Sequence, residues 1–303
     1  MKLGIITAKQ AYLYEHLPNE NFGGDKTDIS DEVLTGWAVG ILDEEGDFSK
    51  ILTHYGYEGW MSVKALKEVS KETLEKRDAG NDTYVVYGGY TDVMSIPTVR
   101  GVIMQTLCRG SFVTRLEETS VDGYYKVMTA IGVTGYVPVI ALQPRQDHDG
   151  FLLQEKKLSK NYFAKHCKLP KKITEQDTIR NQIVRTAKLY LGTQYRWGGK
   201  TPGGIDCSGL TFMSYMLNGF LIYRDASIEE GYPVKPITRE EMKPADLLYF
   251  PGHVAMYIGD DRYIHSTGNE KSFGCVINSL NPKHSDYRED LPGKIKGIGS
   301  IFA

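Results

Sequence analysis

The first half of this chain repeats itself. Gly56–Leu66 (GYEGWMSVKAL) lies over Gly132–Leu142 (GVTGYVPVIAL), and the same offset brings Asp47–Thr53 onto Gly123–Thr129. The chain therefore builds one small unit twice, each unit of ~70 residues. Within both, short runs alternate apolar and polar positions and break at Gly or Asp, the pattern of a small antiparallel barrel. The 32 Gly, 20 Tyr and 10 Phe among 303 residues agree with a turn-rich, strand-rich region and speak against a long helical bundle.

A hydrophobic content of 41% suffices to bury a core in each of two or three domains. Lys plus Arg number 36 against 38 Asp plus Glu, for a net charge of −2, so no polycationic surface for nucleic acid is offered. No stretch approaches the ~18 apolar residues of a membrane span, and no signal peptide follows Met1-Lys2. The expectation is a cytoplasmic protein, or a periplasmic or cell-envelope one if a leader has been removed. Four cysteines are too few for a disulfide framework in a chain this long, and none of their spacings is a C-x-x-C pair that would suggest a structural zinc site. Cys108, Cys167 and Cys275 read as core or incidental thiols, in keeping with a reducing compartment.

Residues 143–172 are polar, contain Pro144 and Pro170, and show no sustained period. The expected division is 1–75 and 76–148 for the repeats, 149–174 for a linker and 175–303 for a further domain. In that last part Ile179, Ile183, Val184, Ala187 and Leu191 recur at helical spacing before Gly192. A second helix is expected after Asp206 as N-cap, with Leu210, Met213, Met216 and Leu217 on one side and Gly219 as its stop. Strand-like runs follow at 247–250, 254–258 and 262–265. Helices first and strands later make this third α+β.

Chemistry concentrates there. Cys207, in GGIDCSGL, falls in the first turn of the second helix, where free N–H groups and the helix dipole favour a thiolate and should lower the thiol pKa. A base must reach the thiol, and a third group must hold the base. His253 and His265 lie on consecutive strands that can supply both. A two-residue loop at Asp260-Asp261 puts them on opposite faces, whereas a three-residue loop over 259–261 puts them on the same face. A lone cysteine beside apolar residues is otherwise a small buried hydrophobe.

DCSGL from Asp206, ADLLYF from Ala245 and HVAMYIG from His253 together resemble the NlpC/P60 cysteine peptidases, which cut cell-wall peptides. Gly59-Trp60 and Gly135-Tyr136-Val137, each after a strand and a glycine turn, resemble bacterial SH3-like domains. The two resemblances cover 175–303 and, approximately, 1–70 with 80–145. They imply an α+β chain: two small SH3-like β-barrels followed by a papain-like α+β catalytic domain, with Cys207, His253 and His265 as the catalytic set. SH3-like domains ahead of such a core are similar to the γ-D-glutamyl-L-diamino acid endopeptidases of that family. This implies Tyr195, before the cysteine, and the Arg224-Asp225 pair after the helix as substrate-binding residues, beside Asp206 and Ser208. Asp225, with Glu58 and Tyr87 of the first SH3-like region and its exit, is implied to bind a substrate amino terminus; Tyr90 is a substitute for Tyr87. Pro251-Gly252 before His253 is a compact version of a loop that is often longer in the family.

The implied substrate is a murein peptide, L-Ala-γ-D-Glu-L-diamino acid, with no metal or organic cofactor, because thiolate attack needs none. Two other readings remain open: a non-catalytic wall-binding protein working through the SH3-like pair, and an amidase or acyltransferase using the same nucleophile.

Overall fold

A computed structural model describes residues 1–18, 28–154, 159 and 161–303, in two compact units, Met1–Lys157 and Leu158–Ala303. Residues 155–158 and 160 of the expected linker lie outside the described residues.

The first unit realises the repeat strand for strand. β1 (Lys2–Ile6), β2 (Gln10–Tyr14), β3 (Ile29–Leu34), β4 (Ala38–Glu45), β5 (Phe48–Thr53), β6 (Glu58–Ser62) and β7 (Leu66–Val69) form an antiparallel sheet ordered β3-β2-β6-β5-β4-β1-β7. After α1 (Lys71–Ala79) come β8 (Thr83–Val86), β9 (Tyr90–Met94), β10 (Ile103–Cys108), β11 (Phe112–Arg115), β12 (Tyr124–Met128), β13 (Thr134–Pro138) and β14 (Leu142–Pro144), ordered β10-β9-β13-β12-β11-β8-β14. The second order is the first with every strand replaced by its counterpart. Gly56 and Gly132 occupy the same turn at φ +83° and +81°, a left-handed conformation that glycine enters without steric cost.

The closed barrels expected from the sequence are not found among the described residues. β3 and β7 end the first ladder and β10 and β14 the second, with no pairing between the outer strands. Backbone pairing thins to Tyr14↔Trp60 where β2 meets β6 and to Tyr136↔Met94 where β9 meets β13. Side chains of the second sheet form its core: Val86, Val93, Leu107, Val113, Val127 and Val137 pack as one cluster.

A buried ionic clamp ties the repeats together. Trp37 Nε1 donates to the Gly110 carbonyl at 2.7 Å, and Arg77 of α1 donates to the Gly36 carbonyl and pairs with Asp149. Arg145 reaches Asp147 and Asp149, both at 2.9 Å, and His54 Nε2 lies 3.1 Å from Asp147. Both carboxyls, although buried, are held well below the usual carboxylate range, chiefly by Arg145.

The second unit opens with α2 (Tyr162–His166) and α3 (Ile173–Lys188), then a hairpin of β15 (Lys200–Thr201) and β16 (Gly204–Ile205), then α4 (Cys207–Met216). β17 (Lys235–Ile237), β18 (Leu247–Phe250), β19 (His253–Gly259), β20 (Arg262–Thr267), β21 (Gly274–Ser279) and β22 (Gly297–Ser300) form a sheet ordered β17-β22-β18-β19-β20-β21. α3 stops at Lys188 rather than Leu191; the chain then turns to Gly192 at φ +80°. α4 is buried along its whole length, packed between α3 and the β19–β20 face of the sheet. Arg180 of α3 bonds Asp246 at 2.7 Å, and Ser300 donates to the same carboxylate oxygen, so the Asp of the ADLLYF segment locks helix to sheet. No helix among the described residues is long and apolar enough to cross a membrane.

Candidate active site

Cys207 is the first residue of α4, and the polar residues around it hold the helix start in place. Asp206 is the N-cap: its Oδ1 accepts from the Gly209 N–H at 2.5 Å, and its Oδ2 from the Gly198 N–H at 2.8 Å. Arg224, fully buried, donates to Asp206 Oδ2 at 3.0 Å and to Ser208 Oγ at 2.6 Å. A buried guanidinium needs such partners. The structure thus engages Asp206, Ser208 and Arg224 with one another. Gly209 is required by close approach, since a Cβ there would drive into the Gly199 carbonyl.

The histidines come together through a device that neither loop length anticipated alone. Asp260 and Asp261, at φ +50° and +56°, make a two-residue turn that pairs Gly259 with Arg262. The register then shifts, so that Tyr257 pairs with Tyr263 and Met256 with Ile264. The extra residue, Ile258, is a bulge, and it moves His253 and His265 onto one face. His253 Nε2 and His265 Nδ1 are 2.8 Å apart, and His265 Nε2 is 2.9 Å from Asn278 Oδ1. Asn278 was not anticipated. It lies in an apolar-flanked strand segment, and only the β20–β21 register reveals its alignment with His265. On the other side Ser266 Oγ donates to the Ile205 carbonyl at 2.7 Å, tying β20 to the segment that leads into Cys207.

Electrostatics correct the expectation of a lowered thiol pKa. Burial pushes the Cys207 thiol up to about 11 and the Asp206 carboxylate adds to this, against the Val254 and Ser208 amides and Arg224. Desolvation outweighs the helix terminus. Burial also takes His253 down to about 4, with Arg288 assisting, and His265 to about 3. The Val254 backbone meets the sulfur one residue from His253. Thiol and imidazole are therefore both neutral at rest.

Tyr195 lies in the segment before the cysteine, bridged to Ile205; burial and the nearby Cys207 raise its phenol pKa. Asp225 is half-buried and hydrogen-bonds Tyr223, whose pKa rises to about 12 mainly through burial. Tyr232 feels Glu229 and Asp225 as well, so two tyrosines and two carboxylates gather beyond Arg224. Tyr223, Glu229 and Tyr232 carry no motif that singles them out. Glu58 and Tyr87 belong to the first unit. Glu58 opens β6, exposed, with Lys50 Nζ at 3.0 Å; the Tyr87 carbonyl accepts from Arg109 at 2.8 Å. Cys108 and Cys275 are buried, with thiols raised by desolvation to about 11 and about 12. No group of three or more His, Cys, Asp or Glu that could hold a metal occurs among the described residues.

Comparison with known proteins places this geometry in a family. The model of the NlpC/P60 family matches residues 192–288, which include Cys207, His253, His265 and Asn278. The chain is 36% identical over 283 residues to dipeptidyl-peptidase 6 of Lysinibacillus sphaericus, covering 91% of this chain and 93% of that one. It is 27% identical over 266 residues to a γ-D-glutamyl-L-lysine dipeptidyl-peptidase of Bacillus cereus, covering 82% and 70%. A crystal structure of an NlpC/P60 family protein from Bacillus cereus shares the fold, with a TM-score of 0.72 and 21% identity over 99% of this chain and 100% of that one. A thiol at a helix start, two histidines aligned by a bulge and a family match across both are one finding: the chain belongs to the NlpC/P60 family of cysteine peptidases.

Proposed function

We propose that this protein hydrolyses the bond between γ-D-Glu and an L-diamino acid in murein peptides that carry a free amino-terminal L-Ala. The observation that carries the reading is the alignment of a neutral imidazole, His253, held by His265, on the strand whose backbone meets the Cys207 thiol. The name of the Bacillus cereus relative supports the γ-D-glutamyl linkage. In this reading His253 takes the thiol proton as the sulfur bonds to the γ-carbonyl carbon. The oxyanion meets the Cys207 N–H and the Tyr195 hydroxyl, and His253 then protonates the departing amine, leaving a thioester on Cys207 that water hydrolyses.

The free amino group is read as the ligand of Asp225 and its neighbours, because an ammonium entering a closed site needs carboxylates waiting for it. The roles that the resemblance implies for Glu58 and Tyr87 belong to the same proposal. So do the SH3-like character of residues 1–75 and 76–148, the linker 149–174 and the peptidase domain 175–303. Asp206, Ser208 and Arg224, bonded to one another, are read as holding the cysteine loop.

Mass spectrometry of a digested L-Ala-γ-D-Glu-L-diamino acid tripeptide, and of digested intact wall polymer, tests this. The expected product is L-Ala-γ-D-Glu, absent with Cys207→Ala. Acetylating the substrate amine should lower kcat/KM at least about tenfold, or ~1.4 kcal/mol of barrier. Equal cleavage of free and blocked peptides overturns the amine ruler; release of a muramyl lactyl group indicates an amidase; no turnover indicates a wall-binding protein.

A further inference from the structure

We infer that Asn278 is a positioning residue that sets the tautomers of both histidines, and so selects Nδ1 as the nitrogen of His253 that takes the thiol proton. The inference deepens the peptidase reading and rests on it only for the role of that proton.

The argument starts at a backbone carbonyl. Asp286 O accepts from the Ser279 N–H at 2.9 Å and from Asn278 Nδ2 at 2.9 Å, which occupies both of its lone pairs. Arg262 Nε fixes the same residue through Asp286 Oδ2 at 3.0 Å. The Asn278 amide is thereby oriented: half a turn about its last bond would set Oδ1 against the Asp286 carbonyl, two acceptors face to face. Oδ1 consequently points at His265 Nε2, 2.9 Å away. An amide oxygen only accepts, so His265 Nε2 carries a hydrogen.

A neutral imidazole has one N–H, which leaves His265 Nδ1 as an acceptor. The 2.8 Å contact then requires His253 Nε2 to donate. Its own single hydrogen used, His253 presents the lone pair of Nδ1. Burial keeps both rings neutral, so the chain of tautomers holds at neutral pH. Asn278 is itself buried and faces the same side of the sheet as His265, because it pairs with Tyr263 across β20 and β21.

The test is nitrogen-15 NMR of the full-length protein with labelled histidine, beside steady-state kinetics. The wild type should show Nε2–H and bare Nδ1 on both rings. Asn278→Ala should mix the tautomers and lower kcat at least about tenfold, within the range for a misplaced general base, while KM stays within about twofold. Asn278→Asp keeps an acceptor toward His265 Nε2 but loses the donor to the Asp286 carbonyl and sets a buried carboxylate against it, so it should fail to restore the tautomers or kcat. An Nδ1–H on His253 in the wild type, or unchanged tautomers in Asn278→Ala, overturns the inference. The NMR arm uses no substrate; a wild type that shows the expected tautomers but no turnover would count against the peptidase reading alone.

Discussion

With the Cys207 thiol held near 11 and the His253 imidazole near 4, both groups are uncharged at neutral pH, and in the proposed mechanism the proton is transferred during the attack rather than beforehand. A general base in the role proposed for His253 works only when neutral. On a pH profile kcat/KM should therefore stay level below the ordinary histidine value of about 6.5 and fall only as pH drops through about 4. An acid limb at 6.5 would show that burial does not set this pKa. The same histidines affect folding. Their folded pKa values lie below the unfolded one, so the unfolded chain binds more protons between those values. The stability they contribute is intact above about pH 6.5 and is lost as pH falls toward 4 and 3. Cys207 and His253 were legible in the sequence because each sits in a dense local motif. Asn278 was not, since no residue near it in the chain announces a partner on a neighbouring strand.

At the scale of elements, the decisive object is the β19–β20 hairpin. Reading loop length alone left two registers open; the structure uses the tight turn of one and, through the Ile258 bulge, the facing of the other. Bulges escape pattern reading because one inserted residue hardly disturbs a short apolar alternation. Gly259, at φ +95°, makes this geometry accessible, and a Cβ there would meet only Pro244 at 3.6 Å. Gly259→Ala therefore adds left-handed backbone strain without a clash. It should cost about 1–2 kcal/mol in urea unfolding. It should also lower kcat by disturbing the alignment of the two histidines; an unchanged kcat would show that the register survives without glycine. Helix starts were easier to read: Asp206 before an apolar run is a local signal, and α4 begins where it says.

Across the whole molecule, the repeat was visible because turn glycines and strand ends recur in sequence, whereas closure depends on backbone pairing between strands far apart in the chain. The clamp of His54, Arg77, Arg145, Asp147 and Asp149 was equally hidden, since its members come from three separate segments. Removing one partner of such a set leaves a buried charge exposed to no counterion of its own. Asp149→Ala should destabilise the first unit by about 3–5 kcal/mol in a denaturant titration. A loss below about 1 kcal/mol would mean that Asp147 alone satisfies both arginines. The two sheets that the clamp ties together differ in sequence but share one topology. Because their strand orders are identical, every strand of the first has a twin in the second that offers a partner of the same kind. On the ribosome β1–β7 emerge and pair before the later strands exist, and order of synthesis keeps the twins apart. A full-length chain diluted from denaturant has no such clock, and exchanged strands are the kinetic trap expected of it, within one molecule or between two.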